Sequence, residues 1–149
     1  MNTIVVGVDH STGARAALAF AFEEARLRGA TLRAVHAWQY GYIGYSGFEV
    51  GTPAIGGDIQ QLRAAAAASL EATVQEAIPD AGDVKVERRL VEGSPGAVLV
   101  EESRDAMLLV VGSRGHGGFA QLLLGSVSQQ CAQHAECPVV IVRSKPAGG

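Results

Sequence analysis

The residues best suited to chemistry lie in one stretch from Gly112 to Ser126, which reads GSRGHGGFAQLLLGS. Glycines let backbone N–H groups approach an anion closely, and a helix that follows directs its positive end at that anion. The stretch contains Arg114 and no Asp or Glu, so a bound anion would meet no like charge. The residue types favour a phosphate-binding loop and leave open a tight turn without a ligand.

Familiar nucleotide and hydrolase motifs do not account for this stretch. A Walker loop ends in Gly-Lys-Ser or Gly-Lys-Thr, and the stretch has no lysine. Gly115 to Ala120 fits the dinucleotide pattern GxGxxA but does not follow the first strand, and Glu136 has the expected separation yet precedes its strand. The length excludes a protein kinase, and neither GYSG at Gly44 nor GSPG at Gly93 completes the GxSxG elbow.

Composition narrows the protein class. A chain of 149 residues with 48% hydrophobic and 18% charged residues predicts one globular domain. The net charge of −3 argues against a nucleic-acid binder, which would usually carry clustered Lys and Arg. The isolated pair Arg88 and Arg89 is interpreted as a solvated strand edge. Because no apolar run reaches membrane-span length and the start MNTIVVGVD lacks a signal sequence, we expect a cytoplasmic protein without a membrane anchor.

The cysteines and histidines do not predict a metal site. Cys131 and Cys137 are six residues apart, which indicates different sides of a helix and matches no metal-ligand pattern. We expect buried free thiols. The four histidines lack metal-site spacing, so structural or surface roles are expected for them.

The elements that must position the glycine stretch alternate between strand and helix. Apolar, β-branched runs predict five strands, at residues 3–9, 31–38, 84–93, 106–112 and 138–143. Helices are predicted from an N-cap at Ser11 or Thr12 to Gly29, from Asp58 to Pro79, from a Ser94 cap with Pro95 first, and after the glycine stretch to about Ala135.

This alternation predicts an α/β fold with a five-stranded parallel sheet and helices on both faces. Ligands of such sheets bind at the carboxyl ends of the strands, where Asp9, Ala37 and Gly112 are expected. A long Gly- and Tyr-rich loop, about 39–57, is expected to be functional or mobile. Its aromatic side chains are equally compatible with covering a ligand and with covering the core.

The whole chain resembles the universal stress protein family. The family's ATP-binding subclass carries Gly, two residues, Gly, nine residues, then Gly followed by Ser or Thr, and Gly112, Gly115, Gly125 and Ser126 match that spacing. The opening VVGVDHS, the second strand ending VHAW and the closing CPVVIVR are also similar to the family. The resemblance implies one Rossmann-like domain over residues 1–149, of the adenine nucleotide alpha hydrolase type, with a polar tail at 144–149.

The resemblance also implies an ATP site at the strand ends. The residues implied to border adenine and ribose are Gly7, Val8 and Asp9, with Ala37 contacting adenine through its backbone. Those implied to approach ribose and phosphates are Gly112, Ser113, Arg114 and Gly115. Those implied to bind phosphates are Gly125, Ser126, Val127 and Ser128. Many relatives have proline where this chain has Gly7, a departure that would loosen the first loop without removing a donor.

By the resemblance, the expected partners are ATP, alone or with a Mg or Mn ion that Asp9 could hold only together with the phosphates, and a second copy joined through Pro138 to Arg143. The alternative to the second copy is that a helix and the tail at 144–149 cover this edge strand. A downstream protein partner is expected to read the nucleotide state. Since no general base, paired carboxylates or lysine is evident near the glycine stretch, hydrolysis is expected to be slow at most. Alternative functions are a metal-dependent ATPase using Asp9, a flavin or dinucleotide module of related fold, and a structural protein with an empty loop.

Overall fold

Five short strands form one parallel sheet in the computed structural model, which describes residues 2–9, 12–39, 57–113 and 125–143. The strands are β1 (Thr3–Gly7), β2 (Thr31–Trp38), β3 (Val86–Glu92), β4 (Leu108–Gly112) and β5 (Val139–Val142). They are arranged in the order β3-β2-β1-β4-β5, and every neighbouring pair is parallel. The predicted fold class is therefore confirmed.

Helices cover both faces of the sheet. They are α1 (Thr12–Arg28), α2 (Gly57–Ala77), α3 (Pro95–Glu102) and α4 (Ser126–His134). One buried cluster joins the sheet to α1 and α2, and a second joins it to α3 and α4. Among the described helices, none combines the length and apolar character needed to cross a membrane.

The central strand explains why the strand sequences are continuously apolar. In β1, Ile4 and Val6 point into the cluster under α1 and α2, whereas Val5 points into the cluster under α3 and α4. All three side chains are fully buried. A strand with helices on both faces has no solvent-facing side, so it lacks the polar alternation of a half-exposed strand.

Several predicted boundaries change in the structure. The first strand ends at Gly7 and not at Asp9, because Val8 leaves the ladder after donating its N–H to the Val35 carbonyl at 2.9 Å. Helix α2 begins at Gly57, one residue earlier than expected, and residues 40–56 of the predicted loop lie outside the described residues. The predicted tail at 144–149 also lies outside them.

Gly29, Ser94 and Pro95 occupy the helix ends that the sequence predicted for them. Gly29 ends α1 with φ +65°, a backbone conformation that favours glycine, and the Ala30 N–H donates to the Ala25 carbonyl. Ser94 and Pro95 occupy the predicted first positions of α3. Ser94 is the N-cap, as predicted: its carbonyl accepts from the Val98 N–H, whereas its hydroxyl makes no capping hydrogen bond.

The two arginines of β3 attach both layers of helices to one sheet edge. Adjacent strand residues point to opposite faces, so Arg88 pairs with Glu71 of α2 and Arg89 with Glu102 of α3, each at 2.8 Å. The Glu102 carboxylate raises the pKa of Arg89. Both arginines are exposed on the edge strand, as the sequence predicted. Their charges form ion pairs within the chain.

The cysteine prediction is only partly confirmed. Cys131 is fully buried in α4, and both thiols are free. Cys137 is half-buried and lies beyond the end of α4, so the two residues do not occupy two sides of one helix. Both pack into the cluster under α3 and α4. Burial raises the pKa of Cys131 to about 11, with a smaller contribution from Cys137.

Candidate functional site

The strand ends named by the sequence meet at one edge of the sheet. Strands β2, β1 and β4 are consecutive neighbours, so their carboxyl ends at Trp38, Gly7 and Gly112 lie side by side. The strand order reverses between β1 and β4, since β1 leads into α1 on one face and the segment after β4 leads to α4 on the other. Open parallel sheets bind ligands at such a crevice.

The end of β1 contacts α3 on one face of the sheet and is hydrogen-bonded to β2 beside it. A Cβ added at Gly7 would lie 2.6 Å from Leu99 Cδ1 of α3, so this position leaves almost no space for a side chain. Val8 is buried, its N–H donates to the Val35 carbonyl, and its own carbonyl lies 2.8 Å from His36 Nδ1. Asp9 follows Val8 in the chain and is partly exposed.

His36 has the structural role that its isolated position in the sequence suggested. Its side chain is buried, and its Nδ1 donates to the Val8 carbonyl. This bond ties the end of β2 to the connection after β1. The sequence contained a weak signal for it, because a polar residue in a buried strand requires a hydrogen-bond partner.

The end of β4 packs directly on the first turn of α1. A Cβ added at Gly112 would lie 3.3 Å from the Gly13 carbonyl oxygen, so the small residue permits close contact between strand and helix. Ser113 follows and is 7% exposed. Its N–H donates to the Val142 carbonyl of β5 at 2.9 Å, which holds the start of the glycine stretch beside the edge strand.

The two ends of the glycine stretch are joined by a small hydrogen-bonded unit, which we call the loop stem: Ser113, Gly125 and Ser128. The Gly125 N–H donates to the Ser113 carbonyl at 2.7 Å. The Ser128 hydroxyl lies 2.9 Å from the same carbonyl and 3.1 Å from the Gly125 carbonyl. The structure thus brings together both halves of the predicted motif. Arg114 and Gly115, also predicted in the site, lie outside the described residues.

The first turn of α4 offers backbone donors at this edge. Gly125 is the N-cap with extended backbone, and no side chain among the described residues caps the helix. Ser126 is exposed and Val127 is half-buried, and the described contacts give neither of their N–H groups a hydrogen-bond partner. The turn contains no acidic residue. Free N–H groups at a helix start suit a phosphate or carboxylate group.

The end of β2 contributes a feature that the sequence reasoning missed. Ala37, predicted in the site, is half-buried and pairs with Val91 of β3. Beside it, Trp38 has a buried indole Nε1 without a hydrogen-bond partner in the described part of the chain. Since Trp is an apolar strand residue by pattern, nothing in its spacing distinguished it from the core.

A second concavity lies away from this edge. A groove of about 630 Å³ runs between α2 and β3 and is lined by alanines with Arg63 and Arg88. It contains none of the predicted site residues. Within the ranges that the structure describes, no three His, Cys, Asp or Glu side chains converge to hold a metal ion.

Comparison with known proteins finds relatives from a single family, the universal stress proteins. The model of the Universal stress protein family matches residues 1–143. A universal stress protein of Mycolicibacterium smegmatis is 39% identical over 146 residues, covering 95% of this chain and 46% of that protein. The chain therefore spans about half the length of this curated relative, and other curated relatives show the same proportion.

Solved structures share the architecture. Universal stress protein UspA from Lactobacillus plantarum superimposes with a TM-score of 0.76 at 22% identity, covering 95% of this chain and 97% of that one, a likeness that shows the fold. A universal stress protein in complex with cAMP has a TM-score of 0.61 at 29% identity, covering 97% of this chain and 98% of that one.

Proposed function

This chain belongs to the universal stress protein family, and on that premise we propose that it binds ATP at the crevice between β1 and β4. The main support for this proposal is the set of backbone N–H groups in the first turn of α4. Its Ser126 and Val127 N–H groups lack partners in the described contacts, no side chain caps the helix, and no acidic residue lies in the turn. A phosphate group would satisfy those donors and meet the positive end of the helix.

The proposed phosphate site combines the two ends of the glycine stretch. Gly112 and Ser113 approach from β4, and Gly125, Ser126 and Val127 approach from α4, because the loop stem holds these segments together. Arg114 and Gly115 complete the site, with a positive charge and close backbone approach. This grouping is supported by the motif spacing and by the hydrogen bonds of the stem.

The proposed base and ribose site lies beside it, at the ends of β1 and β2. Gly7, Val8 and Asp9 border adenine and ribose, and the Ala37 backbone contacts the base. Both backbone groups of Val8 are already hydrogen-bonded within the chain, so Val8 contributes shape rather than polar contacts. The partly exposed Asp9 is suited to the ribose hydroxyls or to a Mg or Mn ion that accompanies the phosphates.

A bound adenine nucleotide in a relative supports the ligand class. The universal stress protein solved with cAMP is 29% identical to this chain across nearly its whole length. Cyclic AMP contains adenine, ribose and one phosphate, all of which ATP also contains. We extend that class to ATP because this chain has the full spacing from Gly112 to Ser126 associated with the ATP-binding subclass.

The proposed role is regulatory. ATP would favour one conformation or dimer of a cytoplasmic protein, and a downstream partner would read that state. A ligand shifts such a population only through its different affinities for the two states. We propose hydrolysis that is slow at most. Magnesium-dependent turnover well above the buffer blank and abolished by Asp9→Ala would instead make the protein an ATPase.

The test is direct identification of the ligand. Mass analysis of nucleotide released from freshly purified protein should find ATP, and calorimetry should show tighter binding of ATP than of NAD. A yellow protein, or one that prefers NAD, would contradict the proposal and favour a flavin or dinucleotide module.

A variant pair locates the site. Gly115→Val should weaken ATP binding more than Ser126→Ala does, because a β-branched side chain blocks close backbone approach while Ser126→Ala removes one exposed hydroxyl. Wild-type affinity in a folded Gly115→Val variant would show that the glycine stretch is not the phosphate site. Ala68→Val, on the exposed face of α2, serves as the matched control.

A further inference from the structure

The hydroxyl of Ser128 is buried and hydrogen-bonded to backbone carbonyls of the protein itself. Its side chain is 2% exposed, and its Oγ lies 2.9 Å from the Ser113 carbonyl oxygen and 3.1 Å from the Gly125 carbonyl oxygen. Both neighbours are acceptors, so the single hydroxyl proton is donated to them. The oxygen that remains carries only lone pairs, which do not attract a phosphate oxygen. Ser128 is therefore poorly suited to bind the ligand that its place in the motif suggests.

The same hydroxyl closes the loop stem. The Ser113 carbonyl accepts the Gly125 N–H at 2.7 Å and the Ser128 hydroxyl at 2.9 Å, which fills both of its lone pairs. The Ser113 N–H is bound to the Val142 carbonyl. Every backbone polar group of Ser113 is thus used to fix where the glycine stretch leaves β4 and where it re-enters at α4.

Ser126 differs from Ser128 in each of these respects. It lies two positions earlier on α4, so its side chain leaves the helix about 200° away from that of Ser128. It is exposed, and no described contact uses its hydroxyl. One serine is therefore exposed at the start of α4, while the other is buried inside the protein.

We propose that Ser128 is a positioning residue for the nucleotide site, which holds the loop stem closed, and that Ser126 alone supplies the ligand-facing hydroxyl of the helix start. The inference rests on the proposed function, since it concerns how the chain prepares a phosphate site. It changes the expected role of Ser128 from ligand contact to preorganisation: the stem fixes the loop ends before the ligand arrives, so that binding does not have to order them.

The test separates the two serines with one measurement that needs no ligand. Without ATP, exchange of the Gly125 amide followed by NMR should be about three- to tenfold faster in Ser128→Ala, the size expected for one lost hydrogen bond, and unchanged in Ser126→Ala. With ATP, calorimetry should show weaker binding for both variants, about threefold or more. A positioning residue alters both readouts, whereas a ligand contact alters only the second.

A volume control completes the experiment. Ser128→Cys, kept reduced, preserves most of the side-chain volume but is a weak donor, so it should resemble Ser128→Ala. Full recovery of wild-type exchange and affinity in the Cys variant would assign the effect to packing and overturn the proposal. Circular dichroism confirms that each variant is folded.

The remaining outcomes are also decisive. Wild-type Gly125 exchange in Ser128→Ala, or faster exchange with unchanged ATP affinity, would overturn the positioning role while leaving the proposed function intact. Failure of the wild-type protein itself to bind ATP would overturn the proposed function, and the role of Ser128 toward a nucleotide with it.

Discussion

Individual residues at this sheet edge differ in how their polar atoms are satisfied. His36 and Ser128 are buried, and each bonds a backbone carbonyl, whereas the Trp38 indole nitrogen is buried without a partner in the described chain. A buried donor without a partner costs about 1–3 kcal/mol. Within the described residues, the Trp38 indole is thus the one buried side-chain donor at this edge that lacks a partner.

The Cys131 thiol carries a pH dependence that can be measured. Its pKa is raised to about 11 from an ordinary 9.0, chiefly by burial. As pH rises through 9, the thiol of the unfolded chain ionises while the folded one stays protonated, so stability present below pH 9 is lost by pH 11. Between pH 9 and 11, this thiol should lower the free energy of unfolding of the wild type by up to about 2–3 kcal/mol. Cys131→Ala should lack that part of the decline, as measured by urea unfolding at each pH.

Alkylation provides the control for this prediction. At pH 8, iodoacetamide should modify the half-buried Cys137 faster than the fully buried Cys131, because the thiolate reacts and burial limits access. An identical pH slope in wild type and Cys131→Ala would contradict the assignment of the decline to this thiol.

At the scale of elements, one close contact sets how α3 lies under the sheet. A Cβ at Gly7 would lie 2.6 Å from Leu99 Cδ1, and Leu99 is itself 4% exposed in the second core cluster. Gly7→Ala should therefore lower the free energy of unfolding by about 1–3 kcal/mol through overpacking.

A double-variant cycle isolates this contact. Leu99→Val removes the δ carbons, so the Gly7→Ala penalty should be smaller in the Leu99→Val background, by about 0.5–2 kcal/mol. Urea unfolding of the four proteins measures the coupling. Strictly additive effects would show that the cost of Gly7→Ala arises elsewhere.

At the scale of the whole molecule, the two edges of the sheet differ in chemistry. The β3 edge carries Arg88 and Arg89, which pair with helices on both faces. The β5 edge reads VVIV, and all four of its side chains are half-buried. An apolar strand at an open edge favours pairing with another strand, whereas charged side chains discourage it. The sheet order confirms that β5 is an edge, and the pairing of two copies there remains a proposal.

We expect a homodimer through β5, with the same strand serving both copies around a two-fold axis. Val140→Lys should convert it to monomer or aggregate, because a charge would enter the contact, as measured by light scattering. Val91→Lys is the matched control: it places the same change at a half-buried valine of the opposite edge and should leave the dimer intact. A monomeric wild type at high micromolar concentration would contradict the proposal.

The sequence by itself determined the types of element and their approximate places. Short β-branched apolar runs predicted five parallel strands, Gly29 predicted the end of α1, and the spacing from Gly112 to Ser126 predicted a loop at a strand end. These signals are local, since they depend on period, backbone conformation and neighbours along the chain. The roles of Arg114, Gly115 and the long loop remain predictions.

Only the tertiary structure decided which polar atoms meet. Ser113 and Ser128 are fifteen positions apart, yet the Ser128 hydroxyl is bonded to the Ser113 carbonyl. Val8 and His36 are likewise bonded across 28 positions. The resemblance implied a ligand contact for Ser128, and the motif position behind it gives the residue type and not the direction of its side chain, which the structure shows bonded to the Ser113 carbonyl. Hydrogen-bond partners depend on which strand ends lie side by side, and sheet order is a property of the whole packed chain.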